Sequence, residues 1–133
     1  PYIDQILIHN NQDPFTGAIV VPNAEALRRE LTDRGVAPEE RAAKAAELLG
    51  AEIDSYRAGG THAGEFPERW LPAGLAIVDE AFTEQNGLVN STMKIVRSKV
   101  EEHFKERVAY LYTPEGKALK NPRNLASLEK LLG

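Results

Sequence analysis

The chain has 133 residues, no cysteine and a formal net charge of −4 at neutral pH. That is one domain of ordinary size, able to bury a core without cross-links or metal, and it excludes thiol chemistry and zinc–cysteine sites. The acid excess, with a pI of about 5.4, argues against a nucleic-acid binder, which carries a basic face; no apolar run approaches the roughly 20 residues of a transmembrane segment.

In chain order, Ile3 to His9 is apolar and β-branched and predicts a strand. Asn10 to Pro14 is turn chemistry, and Phe15 to Val21 predicts a second strand, paired antiparallel with the first. Its run Ala18-Ile19-Val20-Val21 suits a strand covered on both faces. Pro22 should stop the ladder. Asn23 can cap a helix from Ala24 to about Arg34, with Gly35 ending it. Pro38, Glu39 and Glu40 suit the start of a helix running to about Arg57. Its buried stripe is Ala42, Ala45, Ala46, Leu49, Ile53 and Tyr56, with Arg41, Lys44, Glu47 and Glu52 facing water.

Ala58 to Gly64 reads as a plain glycine-rich connector, because phosphate-cradling loops follow strands and this one follows a helix. Phe66, Pro67, Trp70, Leu71 and Pro72 should pack onto the core, and Ala73 to Val78 predicts a third strand. Asn86-Gly87 is a turn pair. Asn90, Ser91 and Thr92 offer helix caps, so Lys94 is expected where a polar loop meets a helix running to about Tyr112. An anion could bind there, with Lys94 and free N–H groups acting together. Val96, Val100, Phe104, Val108 and Leu111 form the apolar face of that helix. Pro122 to Leu132 predicts a terminal helix anchored by Leu125, Leu128, Leu131 and Leu132. The order β-β-α-α-β-α-α predicts an α+β fold, a small three-stranded sheet with helices packed on it.

Candidate chemistry is sparse. His9, His62 and His103 have no metal-ligand spacing, and Asp79 with Glu80 reads as a solvated loop. No phosphate-binding, dinucleotide-binding or nucleophile-elbow motif occurs. The only methionine is Met93, and the chain opens at Pro1 on an ordered-looking element. It therefore reads as a piece of a longer protein or as a chain trimmed to its ordered part.

Several segments in order carry a resemblance: Pro1 to Ile8, Gln12-Asp13, Gly17 to Asn23, Phe82 to Leu88, Ser91 to Lys94, then Arg97 and Val100 to Phe104. They resemble the C-terminal lid domain of adenylate-forming acyl-CoA synthetases, nearest the long-chain fatty-acid–CoA ligases. The likeness spans about residues 1–112, which divides the chain into a lid domain, 1–113, and a tail with a short helix, 114–133. The family pattern around the essential lysine, roughly Asn-Gly-x-Leu-Thr-Pro-Thr-x-Lys-x-x-Arg, aligns with Gly87, Thr92, Lys94 and Arg97. Val89, Asn90 and Ser91 depart from it, leaving the lysine in register and predicting a less stiff loop.

The resemblance implies that Lys94 is the adenylation lysine, with Gly87, Thr92 and Arg97 supporting the loop and the phosphate. It implies a whole enzyme that uses ATP, Mg2+ and coenzyme A to activate a fatty acid, with a larger N-terminal adenylation domain as partner. No cofactor is expected on this chain alone, and no activity. A cytoplasmic protein is expected, with the long-chain substrate a reason for peripheral membrane contact. A free-standing α+β interaction module is the alternative of another class. The lid of an aryl-acid or peptide-synthetase adenylation enzyme is a further one, ranked lower because those more often show Ser/Thr-Gly-Lys where Thr92-Met93-Lys94 stands.

Overall fold

The computed structural model describes residues 2–9, 15–55 and 72–132. The expected turn at Asn10 to Pro14, the glycine-rich connector with His62, and the side chains of Tyr56, Phe66, Pro67, Trp70 and Leu71 lie outside the described residues. Strand β1, Ile3–His9, pairs antiparallel with β2, Gly17–Pro22, in the register Leu7 opposite Ile19 and Ile8 opposite Ala18. Pro22 still pairs with Ile3, as the last residue of its strand, where a missing N–H is tolerated. Strand β3, Gly74–Ile77, lies on the other side of β2 and runs parallel to it, Ala18 opposite Leu75 and Val20 opposite Ile77. A parallel partner needs a long crossover, and helices α1, Ala24–Asp33, and α2, Arg41–Asp54, lie on it.

Asn23 accepts a hydrogen bond from Ala26 N at 3.1 Å, capping α1, and Gly35 takes the left-handed φ of +65° beyond the end of that helix. Pro38–Glu40 forms a single 3-10 turn leading into α2. Of the expected stripe, Ala42, Ala45, Ala46, Leu49 and Ile53 are buried in α2, and Leu48 joins them. Glu47 is exposed, whereas Arg41, Lys44 and Glu52 are half-buried, Glu52 because it accepts from Tyr2 N at 2.7 Å.

The long helix expected from Lys94 is two helices, α3, Arg97–His103, and α4, Lys105–Leu111. Phe104 leaves helical geometry at φ −107°, ψ 23°, while its ring lies 6.0 Å from that of Phe82 in the core. Beyond them come α5, Pro114–Lys117, capped by Thr113, and α6, Pro122–Leu132.

β2 is buried on both faces, and each face has its own core. Ala18 and Val20, with Leu75 and Ile77, meet Leu27 and Leu31 of α1, the α2 stripe and Leu128 of α6. Ile19 and Val21, with Leu7, meet Val78, Phe82, Leu88, Val89, Val100 and Phe104. Helix α6 therefore closes the first core, and its buried Asn124 makes the connection polar. Asn124 Oδ1 accepts from Ile77 N at 2.9 Å and from Arg107 Nη2 at 2.8 Å, and Nδ2 donates to Leu75 O and Leu119 O, each at 2.9 Å. Among the described residues no helix is long and apolar enough to cross a membrane.

Replacing Asn124 by Ala would strand the Ile77 N–H and the Leu75 carbonyl in a dry site. Such a loss costs about 2–4 kcal/mol, so the urea midpoint of Asn124→Ala should fall well below that of the parent chain. A midpoint equal to the parent's would show that the amide holds nothing.

Candidate functional site

The second core supports a small device on the surface of the sheet. Residues Phe82 to Leu88 form a loop closed by one side chain. Asn86 Oδ1 accepts from Thr83 N at 3.0 Å and Leu88 N at 3.2 Å, and Nδ2 donates to Ala81 O at 2.7 Å and Glu80 Oε2 at 3.1 Å. Gly87 follows at φ +80°, a conformation glycine reaches without penalty. Leu88 and Val89 are then drawn into the core, 2% and 5% exposed.

From that buried base the chain turns outward as a hairpin. Val89 bridges Ile95 antiparallel, Val96 N donates to Leu88 O at 2.9 Å, and Asn90 N donates to Lys94 O at 2.9 Å. Met93 N donates to Asn90 O at 2.9 Å, and Met93 itself sits at φ +64°. This is a three-residue hairpin loop, a turn followed by a left-handed residue. The expected helix start at Lys94 is therefore corrected. Asn90 caps the hairpin loop, and the helix begins only at Arg97, with Val96 as a cap that has no side-chain bond. Asn, Ser and Thr serve helix caps and tight turns through the same local bonds. The Val89–Ile95 pairing and the burial of Leu88 and Val89 decide between them here.

The hairpin places Lys94 at its exposed tip, beside Met93, which is 75% exposed. Among the described residues no carboxylate forms an ion pair with Lys94, and its backbone is held on both sides. Thr92 lies on the same tip, but its hydroxyl donates to Asn90 Oδ1 at 2.7 Å. Arg97 is turned away. Its Nη1 donates to Ile8 O, and it lies 3.9 Å from Glu101 Oε2, which also contacts the buried His9 through Nδ1. So Lys94 and Thr92 share the tip, Gly87 shapes the loop beneath it, and Arg97 ties the start of α3 to β1.

Two contacts had no clear sequence signal. Glu80 Oε1 lies 2.8 Å from His103 Nε2, joining the Asn86 loop to α3, so Glu80 is more than a solvated loop residue. The hydrogen bond with His103, helped by Asn86, holds the Glu80 carboxyl below the usual carboxylate range, against partial desolvation. Asp79 pairs with Lys130 of α6 at 3.1 Å. Among the described residues no group of three or more His, Asp or Glu side chains could hold a metal.

No known family profile matches the chain. Individual proteins do. The chain is 32% identical to long chain acyl-CoA synthetase 8 of Arabidopsis thaliana, over 84% of its own length and 16% of that protein's. It is 32% identical to the probable acyl-activating enzyme 16, chloroplastic, of the same plant, over 83% and 15%. It is 31% identical to a chloroplastic long-chain-fatty-acid–[acyl-carrier-protein] ligase, also from Arabidopsis thaliana, over 84% and 13%. In structure it is similar to the adenylation domain of a carboxylate reductase from Mycobacterium chelonae. The TM-score is 0.59 at 26% identity, over 84% of this chain and 16% of that one. The chain thus spans about a sixth of the first of these curated relatives, as a C-terminal domain would.

Two outcomes test the scaffold. Gly87→Ala forces a Cβ into a left-handed residue and should lower unfolding stability by about 1–2 kcal/mol; an unchanged thermal midpoint would rule out the φ of +80°. Because the folded Glu80 carboxyl is held low, its contribution is present above the unfolded carboxylate pKa and is lost as the pH falls through the folded one. Glu80→Gln should therefore be less stable than the parent at pH 7, with the gap closing below about pH 4. A gap independent of pH would exclude a contribution from the Glu80 charge.

Proposed function

We propose that this chain, a relative of the adenylate-forming acyl-CoA synthetases, is the mobile C-terminal domain of an ATP-dependent, AMP-forming long-chain fatty-acid–CoA ligase. In this reading Lys94 is the adenylation lysine. The observation that carries it is the exposed Lys94 at the tip of a hairpin whose base is fixed in the core. A catalytic cation must be presented to a site outside its own domain and yet be held still. A rooted hairpin does both.

In the first step a fatty-acid carboxylate oxygen attacks the α-phosphorus of ATP. The bond to the pyrophosphate oxygen breaks, and acyl-AMP and pyrophosphate form. Negative charge gathers on the α-phosphoryl oxygens, and the Lys94 ammonium stabilises it between carboxylate and phosphate. In the second step the thiol sulfur attacks the acyl carbon and AMP leaves. The domain would rotate between the steps, withdrawing Lys94, a hinge motion with two functional states. Gly87, Thr92 and Arg97 act on this chemistry through the loop. Gly87 allows the turn below the tip, Thr92 bonds within it, and Arg97 fastens the helix that follows. The larger adenylation domain would hold ATP with its magnesium and the acyl chain, and coenzyme A is the acceptor assigned.

In the full-length enzyme, Lys94→Ala should slow acyl-AMP formation, read as pyrophosphate release, by about 10²–10³-fold. Thioester formation from supplied acyl-AMP should change little. Adenylation at near the parent rate would sink the assignment. The chain by itself should show no ligase activity, and calorimetry that found micromolar ATP binding to it would overturn the division of labour.

A further inference from the structure

Asn90 and Ser91 are, with Val89, the residues at which the loop departs from the pattern it resembles, and a looser tip follows from the sequence. The structure points the other way. Asn90 Oδ1 accepts three hydrogen bonds from the tip: Thr92 N at 3.0 Å, Thr92 Oγ1 at 2.7 Å and Lys94 N at 3.0 Å. Its backbone adds two more, accepting from Met93 N and donating to Lys94 O, each at 2.9 Å. One residue therefore gathers five bonds from the next four positions. The Lys94 N–H goes to the Asn90 side chain instead of to a backbone carbonyl, so the register of the lysine depends on that amide.

We infer that Asn90 is a positioning residue for Lys94, its side-chain oxygen setting where the ammonium is presented. The inference rests on the adenylation role proposed above. Asn90 is itself exposed, so each bond competes with water and is weak alone. Their joint effect is to narrow the set of places the tip can occupy, while Leu88 and Val89 hold the base regardless. Misplacement of a catalytic group by about an ångström costs up to ~10²-fold in rate. Loss of Asn90 should thus be felt in turnover and hardly at all in folding. An independent route to the same stiffness is open at Ser91. It is the second residue of the turn closed by the Met93 N to Asn90 O bond, where proline presets the backbone.

The test uses the full-length enzyme with Lys94→Ala, Asn90→Ala and Asn90→Ala/Ser91→Pro, alongside amide hydrogen exchange. Asn90→Ala should lower kcat for pyrophosphate release about tenfold, with KM for ATP and fatty acid within about twofold and thioester formation from supplied acyl-AMP unchanged. The double variant should regain most of the loss. In Asn90→Ala the Thr92 and Lys94 amides should exchange at least about tenfold faster, while Leu88 and Val89 keep their protection. Parent-like adenylation in Lys94→Ala would overturn the catalytic reading and this inference with it. Impaired Lys94→Ala with parent-like Asn90→Ala would overturn the role of Asn90 alone. So would a slow Asn90→Ala that the proline does not rescue and whose Lys94 amide exchanges as in the parent.

Discussion

The whole arrangement depends on β2 being buried on both faces. Ala18, Ile19 and Val20 are fully buried and Val21 is 5% exposed, so successive side chains enter opposite cores. Because the side-chain period of a strand is two, a shift of one residue in pairing would send Ala18 and Val20 to the face of Phe82 and Phe104, and Ile19 and Val21 to that of α1 and α2. The two faces have different duties. One is closed by α1, α2 and α6. The other receives Leu88 and Val89 and is the footing of the Lys94 hairpin. Any rearrangement of the hairpin that kept Lys94 presented would still have to leave those two residues in the core.

Polar side chains then do what the backbone cannot do for itself. Three asparagines each stand where backbone groups lack a strand to bond to. Asn86 closes the loop before the hairpin, Asn90 closes its tip, and Asn124 serves β3. Each carries a planar amide that offers the carbonyl acceptor and N–H donor of a peptide unit, with one N–H more. The cost of burying such a group is offset only when its bonds are made. Asn124, fully buried, makes four.

How much of this was legible depended on range. The strands, the α1 cap at Asn23, the stripe of α2 as far as Ile53 and the packing of Leu125, Leu128 and Leu132 of α6 are local patterns, and local patterns predicted them. The resemblance drawn from the sequence rested on the spacing of Gly87, Thr92, Lys94 and Arg97, which is itself a local pattern. The hairpin was not, because Asn90-Ser91-Thr92 reads equally as a helix cap, and the deciding partners, Val89 with Ile95 and Leu88 with the core, act through tertiary structure. The kink at Phe104 was hidden for a similar reason. The four-residue spacing of Val96, Val100, Phe104 and Val108 is that of one unbroken helix, and it carries no mark of the break at Phe104, whose ring lies against Phe82. The role of Asn124 required knowing which strand lies beside α6.

That last residue also has a bearing on how the molecule behaves in company. β3 lies at the end of the sheet, with β2 as its one strand partner among the described residues. A bare strand edge is a template on which another chain can add a strand and begin to aggregate. Asn124 occupies the template: its amide takes the Ile77 N–H and gives to the Leu75 carbonyl, as the peptide of a fourth strand would. The terminal helix thereby covers this stretch of the edge against an added strand, a form of colloidal insurance carried by a single side chain.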